Sequence, residues 1–228
     1  MNLWGMRYEM DLGILELEED IPGVLPARQR RSIKLRDAYI RAGIEILNTK
    51  RLSDLSVSEL AQECGGSVGS FYTRFEDKEA YFRALRVAAI SMCNKEIQSR
   101  VSIARLYELE PGEALDEMVD LMADMFTSPI RGVLRESLLR ILEDDDPWAP
   151  MRDSAREVMR NYQRACATLF PQFTPDETKL RLNFCFQLIV GVLQKDLVND
   201  YHVFSTRDES LRTGLKETVR SYMRQPLS

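Results

Sequence analysis

Between Leu55 and Phe82 the chain reads LSVSELAQECGGSVGSFYTRFEDKEAYF, and this stretch limits the possible fold more than any other. Ser56 stands directly before Val57 and three residues before Glu59, the spacing of a capping box. There a hydroxyl and a carboxylate satisfy each other's free backbone N–H groups at a helix start. Val57, Leu60, Ala61 and Cys64 follow at helical spacing. Gly65-Gly66 supplies the backbone freedom for a sharp turn. Ser67 then caps a second helix, expected over Val68 to Phe75, that turns Phe71 and Phe75 inward. Two capped helices and a glycine turn in so short a stretch predict a helix-turn-helix, the unit that sets one helix in the major groove of DNA. Val68, Gly69 and Ser70 are small enough to approach base edges, and Tyr72 is expected to face the groove with them.

From Arg36 to Phe82 the chain resembles the DNA-binding domain of TetR-type bacterial transcriptional regulators. In that family a small-residue recognition helix is followed by Tyr-x-x-Phe and then Lys, here Tyr72, Phe75 and Lys78. Two positions depart from the pattern: Gly66 stands where the family usually carries Val or Ile, and Arg74 where it often carries His. The resemblance implies a three-helix DNA-binding domain followed by a larger helical domain that binds an effector and pairs with a second copy. It also implies phosphate contacts for Tyr72 and Lys78, with Ser56 and Arg74 as secondary candidates. Ser67, the cap of the second helix, is a further DNA-contact candidate.

The overall charge of −5 argues against nucleic acid until it is divided along the chain. Residues 1–27 carry a net −5, residues 28–86 a net +4, and the remainder a net −4. Basic charge is therefore concentrated around the motif, where it attracts phosphate. Residues 1–27 alternate acidic and apolar side chains and end in Pro22-Gly23 and Pro26, which reads as an acidic leader, mobile or loosely docked. Arg28, Arg30, Arg31, Lys34 and Arg36 follow as a basic arm at the start of a helix. Basic residues there oppose the helix dipole, so an outside partner is expected, phosphate or the minor groove.

Cys64, Cys93, Cys166 and Cys185 have no C-x-x-C spacing and His202 is the single histidine, so neither a metal site nor a cofactor is expected. GGSVGS lacks the Gly-Lys-Ser/Thr ending of a nucleotide loop and follows a helix instead of a strand. No second histidine exists to form an acid–base pair with His202, and no enzyme is expected. The longest continuous apolar run, Leu188 to Leu193, is far short of a membrane span. A soluble, cytoplasmic protein that does not engage membranes is the reading.

Beyond the motif the periodicity is helical throughout. One long helix is expected from Asp77, its N-cap, to about Val101. Others are bounded by Pro111, Ser128-Pro129, the acidic run Glu143 to Asp146, Pro171 and Pro175. No strand-length alternation competes, and the predicted fold is all-α. The division expected is a leader at 1–27, a helix-turn-helix domain at 28–77, and a helical effector-binding and dimerisation domain at 78–228. The helix near 176–200 is apolar on more than one face, so one side needs a partner chain, and a homodimer is expected. The resemblance places around an effector pocket the helices whose stripes carry Met118, Met122, Met125, Phe126, Trp148, Met151, Met159, Tyr162, Phe184 and Gln187, methionine adapting to irregular cavities and Tyr or Gln supplying polar contacts.

The functional expectation is a sequence-specific DNA-binding regulator, a repressor released from operator DNA by a small apolar or amphipathic effector. Two alternatives stay open: a dimeric helical interaction protein without specific DNA binding, and a regulator that needs no small molecule.

Overall fold

The computed structural model describes residues 21–141, 149–199 and 204–224. Among them ten α-helices form and no strand, in agreement with the all-α expectation. They divide into two compact units. The first takes the described residues up to Ser91 together with 128–141, and the second takes 92–127 and the described residues from 149 onward. Compactness therefore cuts the chain elsewhere than the expected boundary at 77/78.

In the first unit α1 is Arg30–Leu47, α2 Val57–Glu63 and α3 Val68–Tyr72, followed by the start of α4, Lys78–Val101. Its centre is an aromatic cluster. Phe71 and Phe75, one helical turn apart, meet Tyr39 of α1 and Tyr81 of α4 with ring centroids 4.9–5.6 Å apart for the Tyr39–Phe71, Phe71–Phe75, Phe71–Tyr81 and Phe75–Tyr81 pairs. All four rings are fully buried, and each such burial is worth roughly 1.5–3 kcal/mol. Tyr81 donates its hydroxyl to the Tyr39 carbonyl at 2.5 Å, so the polar edge of the cluster is satisfied.

Of the two readings of the leader, mobile or loosely docked, residues 21–27 take the docked one; residues 1–20 lie outside the described residues. Ile21 is buried. Val24 forms an antiparallel bridge with Phe75, Leu25 N donates to the Arg74 carbonyl at 2.7 Å, and Glu76 N donates to the Gly23 carbonyl at 2.9 Å. Gly23, at φ +75°, makes this approach possible, because a Cβ there would stand 2.8 Å from Ala80 Cβ.

The first unit is completed by α7, Arg131–Leu139, which lies directly on the end of α1. A Cβ on Gly132 would come within 2.2 Å of the Leu47 backbone, so only glycine fits. The orphan carbonyls at the α1 C-terminus are met from α7: Arg135 donates to Leu47 O at 2.7 Å and to Lys50 O at 2.8 Å. Asn48 bridges the same seam, donating to Pro129 O at 2.8 Å and accepting from Gly132 N at 2.9 Å.

The second unit holds the rest of α4, with α5 Ile103–Leu106, α6 Pro111–Thr127, α8 Ala149–Leu169, α9 Pro175–Val198 and α10 Glu209–Tyr222. The short α5, capped by Ser102, was not anticipated from the sequence. Asp116, Asp120 and Asp124, spaced four apart on α6, face Arg220, Lys216 and Arg212, spaced four apart on α10 in the opposite direction, and pair rung by rung. Tyr162 is buried on α8 and donates to the Ala114 carbonyl of α6 at 2.5 Å. On α9, Thr174 and Glu177 form the capping box, with Pro175 at the first helical position. No helix among the described residues is long and apolar enough to cross a membrane.

Candidate nucleic-acid interface and effector cavity

The turn between α2 and α3 has a specific backbone solution. Gly65 adopts φ +67° as α2 ends, its N–H donates to Gln62 O at 3.1 Å, and Gly66 N donates to Ala61 O at 2.8 Å. These are the two bonds of a Schellman motif, and they satisfy the last α2 carbonyls. At the other end of α2 only half of the expected box forms. Ser56 Oγ accepts from Glu59 N at 3.3 Å, while the Glu59 carboxylate lies 3.6 Å from Lys50 Nζ.

The complete box is on α3 and uses two serines. Ser67 Oγ accepts from Ser70 N at 3.1 Å, and Ser70 Oγ accepts from Ser67 N at 2.8 Å. Ser70 Oγ also shares a 2.7 Å hydrogen bond with Tyr39 Oη. Its hydroxyl is thus engaged with the protein, and the expectation that it faces the groove is revised: Ser70 holds the helix that others expose. Gly66 explains itself in the same geometry, since a Cβ there would stand 2.2 Å from Tyr39 Oη.

The recognition helix is shorter than expected and ends at Tyr72, because Arg74 N and Phe75 N both turn back to the Phe71 carbonyl. Val68 and Tyr72 remain 42% and 48% exposed although both are apolar-bodied residues beside a dry aromatic core. Gly69 is exposed too, and the nearest atom to a Cβ there is 3.8 Å away. Val68, Gly69 and Tyr72 therefore form one accessible surface on a helix pinned from behind by Phe71.

The basic residues separate into two groups. Arg28, Arg30, Arg31 and Lys34 are exposed. Arg36 leaves the expected arm: it is buried and paired with Asp37 at 2.9 Å. Arg74 is half-buried and acts inward, donating to Ser70 O at 2.7 Å, Thr73 Oγ1 at 2.9 Å and Ser32 Oγ at 2.8 Å. It ties the end of α3 to the first turn of α1, which leaves little of it for a phosphate. Lys78 opens α4 and donates to Ser53 O at 3.2 Å, with two further ammonium protons to offer. Asp77 caps that helix as expected, accepting from Ala80 N at 2.6 Å.

In the second unit a cavity of about 160 Å³ is lined by Met122, Met125, Phe126, Met151, Val158 and Phe186, with Ile97, Val190, Ala155, Arg152 and Ser154 completing it. Of the candidate pocket residues, Met122 and Phe126 line it, as do Met125 and Met151. Met118 and Tyr162 are fully buried elsewhere in the core, and Met159 lines a groove alongside. Phe184 and Gln187 are exposed on another face of α9, so they are corrected out of the pocket; Trp148 lies outside the described residues. Sequence reasoning missed Ile97, Val158, Phe186 and Val190, which sit on helical stripes indistinguishable from ordinary core, and Arg152, Ser154 and Ala155, which gave no pocket signal.

Phe184 stacks on Tyr222 of α10 with centroids 4.9 Å apart, and Leu180 and Val198 are also exposed on α9. Arg181, buried beside them, sits over the rings of Phe173 and Tyr222 at 4.4 and 5.0 Å and joins α9 to the end of α10. Burial pushes the Cys93 and Cys185 thiols up to about 12, so both stay protonated and inert at neutral pH.

The model of the bacterial regulatory proteins of the tetR family matches residues 40–85, the stretch from mid-α1 through the recognition helix into α4. No curated protein matches the chain at a significant level. Among solved structures, a TetR-family transcriptional regulator from Mesorhizobium loti MAFF303099 is 16% identical with a TM-score of 0.67, covering 86% of this chain and 98% of its own. One from Rhodococcus sp. is 16% identical with a TM-score of 0.56, covering 83% and 99%. NalD of Pseudomonas aeruginosa, the secondary repressor of the MexAB-OprM multidrug efflux pump, is 19% identical with a TM-score of 0.50, covering 85% and 98%. At these identities the structures establish the fold, while the family match falls on the helix-turn-helix itself. Residues 40–85 thus match the tetR family of bacterial regulatory proteins, on a fold shared with solved TetR-family transcriptional regulators.

Proposed function

We propose that this protein is a homodimeric repressor whose two α3 helices hold an operator and which a small, largely apolar effector releases. The observation that carries the DNA side is the exposed Val68–Gly69–Tyr72 surface, backed by a buried aromatic cluster, with Lys78 and the exposed Arg28, Arg30 and Arg31 in the same compact unit. In this reading Val68, Gly69 and Tyr72 meet base edges and sugar-phosphate, and Lys78 and the arm neutralise phosphates. Ser56, Ser67, Ser70 and Arg74 position the helix. The protein acts on cytoplasmic DNA and catalyses nothing.

The exposed Leu180 and Phe184, one turn apart on α9, with Val198 near its end, support pairing with a second copy, because adjacent large apolar side chains seldom stay in water. A route from effector to DNA is also short in sequence. Phe126 lines the cavity, and three residues later Pro129 O accepts from Asn48 at the end of α1. An effector that favours the cavity of the non-binding state then shifts the population by its difference in affinity between states.

The deciding experiment is selection of duplexes from random DNA by the pure full-length protein, followed by a reporter assay with the selected site. An enriched, twofold-symmetric site and reporter repression are expected. Enrichment of no sequence would leave only the interaction-protein reading. Phe126→Trp, which fills the cavity, is expected to retain site binding and lose release by any ligand found by thermal shift.

A further inference from the structure

The cavity opens beside a groove of about 490 Å³ in the same unit, and the two share Arg152, Ala155 and Phe186. The cavity side is almost wholly apolar. The groove side carries Arg152, Arg156 and Arg160, spaced four apart on one side of α8, with Gln163 and Asn183 beyond them. Arg156 is offset by an ion pair with Asp153 one turn away, and Arg160 is exposed.

An oily cavity alone would accept many apolar molecules, but the row of guanidinium groups at its side discriminates among heads. Guanidinium forks match carboxylate and phosphate oxygens in pairs, which an alcohol or an ammonium head cannot do. We propose that the effector is an anionic amphiphile, with an apolar chain or ring among Met122, Phe126 and Phe186. Its carboxylate or phosphate head lies at Arg152 and extends along the groove toward Arg160. This rests on the reading of the cavity as the effector site.

The test is isothermal titration of the full-length protein at pH 7.5 and low salt with decanoate, decyl phosphate, decanol and decyltrimethylammonium, each below its micelle concentration. The two anions are expected to bind about tenfold or more tighter than decanol, one charge-assisted pair being worth about that factor, and the cation most weakly. Arg152→Gln should lower the affinity for both anions about tenfold and leave decanol unchanged, and Arg152→Lys should restore part of the loss. Arg160→Gln, at an exposed position that the fold tolerates, should weaken decyl phosphate more than decanoate, and it decides the matter if Arg152→Gln fails to fold. Equal affinity for all heads, or unchanged anion affinity in both glutamine variants, would overturn the anionic head while leaving the cavity as an effector site. Binding of none of the four probes, with Phe126→Trp indistinguishable from the parent, would remove the cavity reading as well.

Discussion

A Cβ on Gly66 would stand 2.2 Å from Tyr39 Oη, so the α1 hydroxyl occupies the space that a side chain at the turn would take. The unusual glycine and the buried tyrosine are therefore two halves of one packing solution. The hydroxyl there also reaches Ser70 Oγ at 2.7 Å, which links the turn to the recognition helix.

That relationship predicts a coupled pair. Gly66→Ala alone should destabilise the protein by about 1–3 kcal/mol through overpacking. Tyr39→Phe alone should cost about 1 kcal/mol for the lost hydrogen bond. Combined, the two should cost clearly less than their sum, because phenylalanine withdraws the clashing atom. Denaturant unfolding of the four proteins measures the coupling, and strict additivity would contradict it.

Ser70→Ala and Gly69→Ala should differ in kind. Ser70→Ala removes the reciprocal cap and should cost about 1 kcal/mol of stability, weakening all duplexes alike and leaving the selected sequence unchanged. Gly69→Ala meets only Ser67 Oγ at an ordinary 3.8 Å contact, should stabilise α3 by roughly 0.5–1 kcal/mol, and should change which bases are selected. Thermal unfolding and site selection on both variants separate the roles.

Lys78→Ala should weaken every duplex and reduce the slope of log K against log salt by about one per protomer, the signature of a lost phosphate contact. Arg74→Ala should act otherwise. It cuts α3 loose from Ser32 and Ser70, so stability should fall by roughly 1–3 kcal/mol while the salt slope changes little. Binding isotherms between low and moderate salt, with parallel melting curves, distinguish them.

Phe184→Glu should convert a dimer to a monomer in sedimentation at micromolar concentration, with helical circular dichroism retained, since the ring is 51% exposed and its loss leaves the core intact. A dimer that persists would put the seam on another face.

The order of elements was legible because each boundary carries a local signal. Ser67, Asp77 and Pro175 start helices through groups that bond their own backbone, and Gly65 ends one by adopting a conformation other residues resist. The shared exposure of Val68, Gly69 and Tyr72 was legible for the same reason, since they sit within one short capped helix. Where the readings went astray, the deciding partner lay far along the chain. Ser70 turns inward because Tyr39, 31 residues earlier, supplies a partner, and Arg74 because Ser32, 42 residues earlier, does. Two features carried no local signal at all: residues 21–27 dock on the edge that Phe75 offers, and the backbone of Leu47 leaves room only for glycine at Gly132. Which methionines line a cavity and which fill core was equally beyond the stripe pattern, for a helical period states that a face is buried without naming what it meets. Local backbone chemistry wrote the helices into the sequence; long-range packing alone decided which of their side chains were left to act.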